Sequence, residues 1–242
     1  MYKFVRCNHS WRYYWPKSMI EKFWPGMPLS GKSVFPVIAA MADETGKSFP
    51  PERTIAILSG IADKTVRKGV NAIETLIPDF SVERYKTQTG KSGKRFKMAV
   101  VKKGDEKVFP FARQLVFNGF WSSLSSSAHA LYPVLLYFSG CDHDGIGEAM
   151  DEKDIGFDEA YAIREYAVLS EINMTLFAKM AGLSRPSAYS ALAELQSIGR
   201  NPEIYLVQKY SDDSTDGDAY KVFIKPPSDL NPDFLNKRTV SR

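Results

Sequence analysis

A stretch that reads as a helix, a tight glycine turn and a second helix runs from Thr54 to Ile73, and the chain writes it again from Leu176 to Leu195. With Gly60 over Gly182, Ala56 falls on Ala178, Leu58 on Met180, Ile61 on Leu183, Val70 on Leu192 and Ile73 on Leu195. Small and apolar positions recur together, as a repeated structural unit requires. Two helices joined by a short turn must approach closely, so a small residue (Ala56, Ala178) belongs at their crossing and glycine in the turn. The pattern is a duplicated helix-turn-helix.

In each copy the second helix buries one face and leaves the other available. That free face holds Lys64, Thr65, Arg67, Lys68 and Asn71 in the first copy, and Arg185, Ser187, Tyr189 and Ser190 in the second. Ser184 suits the N-cap of the second copy's helix, and Pro186 fits its first turn. The first copy has Ala62 at the capping position, which leaves Asp63 as the alternative cap. A helical hairpin that only packs a core would carry the same apolar positions, so the exposed residue types carry the functional expectation.

Upstream of each copy lies an apolar helix with proline at the same place, Val34-Phe35-Pro36-Val37-Ile38 and Leu131-Tyr132-Pro133-Val134-Leu135. Because proline disrupts a helix interior, each helix is expected to begin just before it or to bend there. Downstream come alternating strand pairs, Phe80 to Lys86 with Arg95 to Val101, and Ile204 to Tyr210 with Tyr220 to Ile224. A helix, a helix-turn-helix and a β-hairpin in this order resemble the tandem winged-helix proteins of bacterial plasmids and phages, including replication initiators. The first copy is similar to the short helix-turn-helix domains of phage replication proteins. The resemblance covers residues 28 to 227 and implies an α+β, mainly α fold with two winged helices in tandem. The same module serves repressors, initiators and protein-docking domains, so it leaves the biological role open.

On this basis residues 1–27 form an aromatic and basic arm, 28–101 the first winged helix, 102–113 a linker, 114–227 the second winged helix with an acidic insertion at 141–171, and 228–242 a tail. With 242 residues, of which 44% are hydrophobic and 25% charged, the chain can build two small cores. No apolar run reaches membrane-spanning length and no charged-then-apolar leader is present, so a soluble cytoplasmic protein without membrane association is expected. Cys7 and Cys141 are too few for a disulfide framework and suit a reducing compartment.

The net charge of +4 hides an asymmetry: residues 1 to 110 hold 20 Lys and Arg against 10 Asp and Glu, and the remainder 12 against 18. The first wing carries Lys86, Lys91, Lys94, Arg95 and Lys97 around a glycine-rich tip, suited to phosphate contact or minor-groove insertion. The second wing tip, Ser211 to Asp218, is acidic. DNA reading is therefore assigned first to the first copy, although a lysine-rich loop can also be a merely solvated one. The insertion from Cys141 to Glu171 holds ten acidic residues against Lys153 and Arg164. It is either a surface for a protein partner or a solvated loop with a helix at Asp158 to Leu169. The arm places Phe4, Trp11, Tyr13, Tyr14, Trp15, Phe23 and Trp24 among Lys3, Arg6, Arg12, Lys17 and Lys22; these rings can stack on bases or cover a face of the first winged helix.

One motif points elsewhere. Gly26-Met27-Pro28-Leu29-Ser30-Gly31-Lys32-Ser33 satisfies the phosphate-binding loop pattern of nucleotide-binding proteins. Its lead-in, Glu21-Lys22-Phe23-Trp24-Pro25, is a poor central strand, and no alternating strand and helix series follows. Ser30 to Ser33 read better as the solvent-facing start of the first helix. Asp142-His143-Asp144-Gly145 lacks the flanking ligands of a calcium loop, and Cys141 with His143 is too small a set for zinc. His9, His129 and His143 are dispersed, and Tyr13 and Tyr14 lack a metal-binding partner motif. The expectation is a non-enzymatic protein with no cofactor or metal, whose partner is double-stranded DNA and whose second winged helix or insertion could engage a protein; its oligomeric state is left open. A protein-binding adaptor and a P-loop NTPase are the rival expectations.

Overall fold

A computed structural model describes residues 12–86, 90, 92–98, 108–139, 166–170, 172–198, 205–211 and 218–224. One series of elements occurs twice. After β1 (Arg12–Pro16) and a π-helical turn (Met19–Phe23), the first unit runs α1 (Leu29–Ala40), β2 (Lys47–Ser48), α2 (Glu52–Ser59), α3 (Asp63–Leu76), β3 (Ser81–Lys86) and β4 (Ser92–Lys97). The second begins with β5 (Val108–Ala112) and two short helices, α4 (Arg113–Phe117) and α5 (Phe120–Ser123). It continues with α6 (Ser126–Phe138), β6 (Tyr166–Leu169), α7 (Met174–Ala181), α8 (Arg185–Gln196), β7 (Val207–Ser211) and β8 (Asp218–Phe223). In both units the strand before the helix pair joins the last strand of the hairpin, giving antiparallel sheets of order β2-β4-β3 and β6-β8-β7. The protein is mixed α+β.

The glycine turns are built alike. Gly60 (φ 67°) and Gly182 (φ 61°) end α2 and α7 in the left-handed region that glycine adopts without strain. The amides that follow reach back, Ile61 N–H to the Ala56 carbonyl and Leu183 N–H to that of Ala178, satisfying helix-end acceptors. Each turn is also pressed by the other unit. A Cβ on Gly60 would lie 2.2 Å from the Ser122 carbonyl oxygen, and one on Gly182 2.5 Å from that of Pro25.

This reciprocity extends through one continuous core. Apolar side chains of both units form a single buried cluster, where two small cores were expected. At its centre α1 and α6 are buried on nearly all sides, and both run through their prolines, beginning at Leu29 and Ser126 rather than beside Pro36 and Pro133. A helix surrounded by apolar neighbours is held by packing, which offsets the hydrogen bond each proline removes. The Trp24 indole N–H donates to the Ala130 carbonyl on α6 at 2.8 Å, and that of Trp121 to the Ser33 carbonyl on α1 at 2.9 Å.

Two boundaries change accordingly. Residues 108–113, read as the end of a linker, form β5 and open α4, and β5 pairs antiparallel with β1 from the supposed arm. Trp15 stacks on Phe111 with centroids 5.0 Å apart, and the Tyr13 hydroxyl donates to the Pro36 carbonyl at 2.9 Å. Tyr13, Trp15 and Trp24 are therefore core residues, as large aromatics paired in a strand and desolvated together tend to be. Within the acidic insertion, Tyr166–Leu169 is a strand where a helix was expected, because its alternating buried positions join β8. Residues 140–165 and 171, the rest of that insertion, lie outside the described residues, as do 1–11, 99–107 and 225–242. Among the described residues no helix is long and apolar enough to cross a membrane.

Candidate nucleic-acid interface

α3 starts at Asp63 with Ala62 at its N-cap and no side-chain cap; Asp63 instead pairs with Arg53 at 3.6 Å. Val66, Gly69, Val70 and Ile73 face the core, and the helical period turns Lys64, Arg67, Lys68 and Asn71 outward, all exposed. Thr65 is half-buried beside them. Lys64, Arg67, Lys68 and Asn71 thus share one exposed face of a single helix, to which the structure adds a partner that the sequence did not reveal.

Glu52, the first residue of α2, accepts from Arg67 Nε at 2.8 Å and from Lys94 Nζ at 2.6 Å. One carboxylate ties the exposed face of α3 to the hairpin. Burial pushes the Glu52 pKa up, but the hydrogen bonds and charges of Lys94 and Arg67 outweigh it and hold the carboxyl below its usual range. Arg67 keeps its terminal nitrogens outside this pair, and its side chain is two-thirds exposed. Glu52 therefore limits the guanidinium's freedom while leaving donors to offer.

The hairpin residues do not form one set. Side chains alternate across a strand, and the register sets Val82 opposite Phe96 and Glu83 opposite Arg95. Phe96 is buried, so Lys94 shares its helix-side face and reaches Glu52. Arg95 and Lys97 stand on the opposite, outer face, where Arg95 pairs with Glu83 at 3.3 Å. Of the expected phosphate-gripping set Lys91, Lys94, Arg95 and Lys97, the pleat therefore sets Lys94 on one face of the sheet and Arg95 and Lys97 on the other. Lys86 is exposed at the end of β3, and Lys91 lies outside the described residues.

In the second unit Ser184 caps α8, its hydroxyl accepting from Ser187 N–H at 3.3 Å. Ser187 is half-buried and spends its hydroxyl on Ser184, 2.8 Å away. Arg185, Tyr189 and Ser190 are exposed, Tyr189 to 52%. The acidic stretch between β7 and β8, residues 212–217, lies outside the described residues.

The P-loop-like segment takes another form. No strand leads into it; Gly31, Lys32 and Ser33 are buried inside α1, and Lys32 is only 1% exposed rather than solvent-facing. Its Nζ donates to the Ala181 carbonyl at 2.8 Å, capping the C-terminal end of α7 across the unit boundary, and burial lowers its pKa to about 8. Ser33 Oγ lies 2.8 Å from His129 Nδ1, a pairing that distance in sequence conceals. The Trp121 carbonyl, 2.6 Å from Nε2, can only accept, so His129 carries its proton on Nε2 and takes the Ser33 hydroxyl hydrogen at Nδ1. Trp121 also stacks on the imidazole at 4.1 Å, and both Ser33 and His129 are fully buried. This is nucleophile-and-base geometry without solvent access. Among the described residues no group of three or more His, Cys, Asp or Glu is placed to hold a metal ion. No protein-family model, curated protein or solved structure matches the chain.

Proposed function

We propose that the chain is a non-enzymatic, sequence-directed double-stranded DNA-binding protein made of two winged helices in tandem, acting in replication initiation or transcriptional control of a mobile element. The observation that carries this reading is the tie through Glu52. It sets Lys94 of the hairpin beside an α3 face bearing Lys64, Arg67, Lys68 and Asn71. A helix presenting arginine and asparagine can enter the major groove and make two-pronged contacts to guanine and adenine, while the hairpin meets the backbone. The excess of cations in residues 1 to 110 favours the first unit as the principal reader.

A second reading, a winged-helix adaptor that binds proteins, draws on the second unit, where Tyr189 is 52% and Leu176 37% exposed. Selection of bound sequences from a random duplex pool, followed by fluorescence anisotropy across a salt series, separates the two. The DNA reading requires a selected site bound well above random duplex, with affinity falling as salt rises. Duplex binding no stronger than to any polyanion, with no selected sequence, would leave the adaptor reading standing.

A further inference from the structure

The outer face of the β2-β4-β3 sheet carries a cluster to which the duplex reading gives no role. The Arg95 guanidinium lies 5.1 Å from the Phe49 ring centroid and 5.9 Å from that of Tyr85, a cation between two aromatic rings. Both rings face solvent, Phe49 at 45% and Tyr85 at 38% exposure, whereas Trp15, Trp24 and Trp121 are completely buried. Tyr85 is held in place from beneath. It stands opposite Gly93 in the register and covers it so closely that a Cβ there would meet the ring at 2.5 Å. Pairing of Lys47 with Lys97 puts both on this face beside Arg95; among the described residues Glu83 answers Arg95, and Asp43 lies close enough to Lys47 to feel its charge.

We propose that this face is a binding platform for single-stranded DNA, on which unpaired bases stack against Phe49 and Tyr85 while Lys47, Arg95 and Lys97 meet the phosphates. Solvent-facing rings interleaved with cations are what sequence-tolerant binding of single strands requires, since every base offers a π-face and every nucleotide a charge. A paired duplex hides its base faces and could use only the cations. An acidic peptide could answer the charges but would leave the rings unused. The platform lies on the side of the sheet opposite Lys94 and Glu52, so a duplex against α3 and a strand on the outer face would not compete for the same side chains. The proposal extends the DNA reading without using the recognition helix.

The test is anisotropy of a fluorescent oligothymidine of about 15 nucleotides, within the range one small domain covers, with the full chain. Phe49→Ala and Tyr85→Ala should each weaken it about tenfold or more, Phe49→Trp and Tyr85→Phe should retain it, and selected-duplex affinity should stay unchanged in all four. Arg67→Ala should leave oligothymidine binding as it was, so failure of the duplex reading and failure of this one are separable. Melting curves identify any variant whose hairpin has loosened; Phe49→Ala, outside the β3–β4 pairing, decides if Tyr85→Ala unfolds. Unchanged oligothymidine affinity in Phe49→Ala would overturn the proposal. So would an equal loss in Arg67→Ala, or tighter binding of polyglutamate than of oligothymidine.

Discussion

Trp24 and Trp121 do the same work from opposite sides of one helix pair, each sending its indole N–H to a backbone carbonyl on the other unit's central helix. They are 97 positions apart, as are their acceptors' counterparts Ser33 and Ala130 and the prolines Pro36 and Pro133. Replacing either tryptophan with phenylalanine keeps most of the buried ring but leaves a carbonyl without its partner, a loss of about 1 to 3 kcal/mol. Chemical denaturation should show that loss in one cooperative transition for both units, because they share a core. Two separated transitions would contradict it.

Glu52 leads to a prediction about selectivity. Arg67→Ala should weaken the selected duplex by about 1 to 3 kcal/mol and random duplex much less. Glu52→Gln still accepts from Arg67 but removes a negative charge from the face, so random-duplex affinity should rise while the preference for the selected site shrinks. Anisotropy on both duplexes reads the difference. A carboxylate that served only to stabilise the fold would lower the melting temperature and leave the preference where it was.

The split of the hairpin across two sheet faces predicts unequal lysines. Lys94→Ala should reduce affinity for every duplex and flatten the dependence on salt, since each phosphate contact releases counterions. Lys97→Ala, on the outer face, should leave the duplex salt slope unchanged. Equal slopes in wild type and Lys94→Ala would take the hairpin off the duplex.

Acid should unfold the protein through His129. Burial holds its pKa at about 4, against 6.5 when exposed, only partly offset by its bond to the Trp121 carbonyl. As pH falls below 6.5 the unfolded chain takes up a proton that the folded one refuses, so stability declines until about pH 4, by about 3 kcal/mol. Denaturation at stepped pH should show a shallower decline in His129→Gln. Lys32 has the same sign at higher pH: its folded pKa of about 8 lies below 10.5, so stability rises as pH climbs between the two.

Lys32 also decides the nucleotide question. From sequence, Lys32→Ala should change stability little; its burial and its bond to Ala181 revise this to a loss of about 1 to 3 kcal/mol, from the cavity and the abandoned carbonyl. Calorimetry with Mg-ATP and Mg-GTP is expected to show no binding at micromolar concentrations. Saturable binding that disappears in Lys32→Ala would restore the NTPase.

The glycine turns, the second helices and the hairpins were legible because each is set by local chemistry: a left-handed glycine, a helical apolar stripe, a two-residue alternation. Lys94 and Arg95 could have been separated by that same alternation. The shared core was harder to see. Gly60 and Gly182 are 122 positions apart while Trp24 and Trp121 are 97 apart, because the second copy carries extra chain between its first helix and its helix pair. An alignment anchored on the glycines therefore never brings the two tryptophans together. Lys32 looked solvent-facing because a helix start usually is, and only contact with α7 from the other unit reverses that.

The β1–β5 ribbon joins the beginning of one unit to the beginning of the other, so neither is a transplantable cassette. A fragment ending after β4 would lose the strand that covers Trp15, and a fragment starting at β5 would lose Trp15 and Trp24 from its interior. Evolution or engineering that retunes the exposed face of α3 or α8 must do so residue by residue on an undivided body, because exchanging a whole module would tear core residues out of its neighbour's interior.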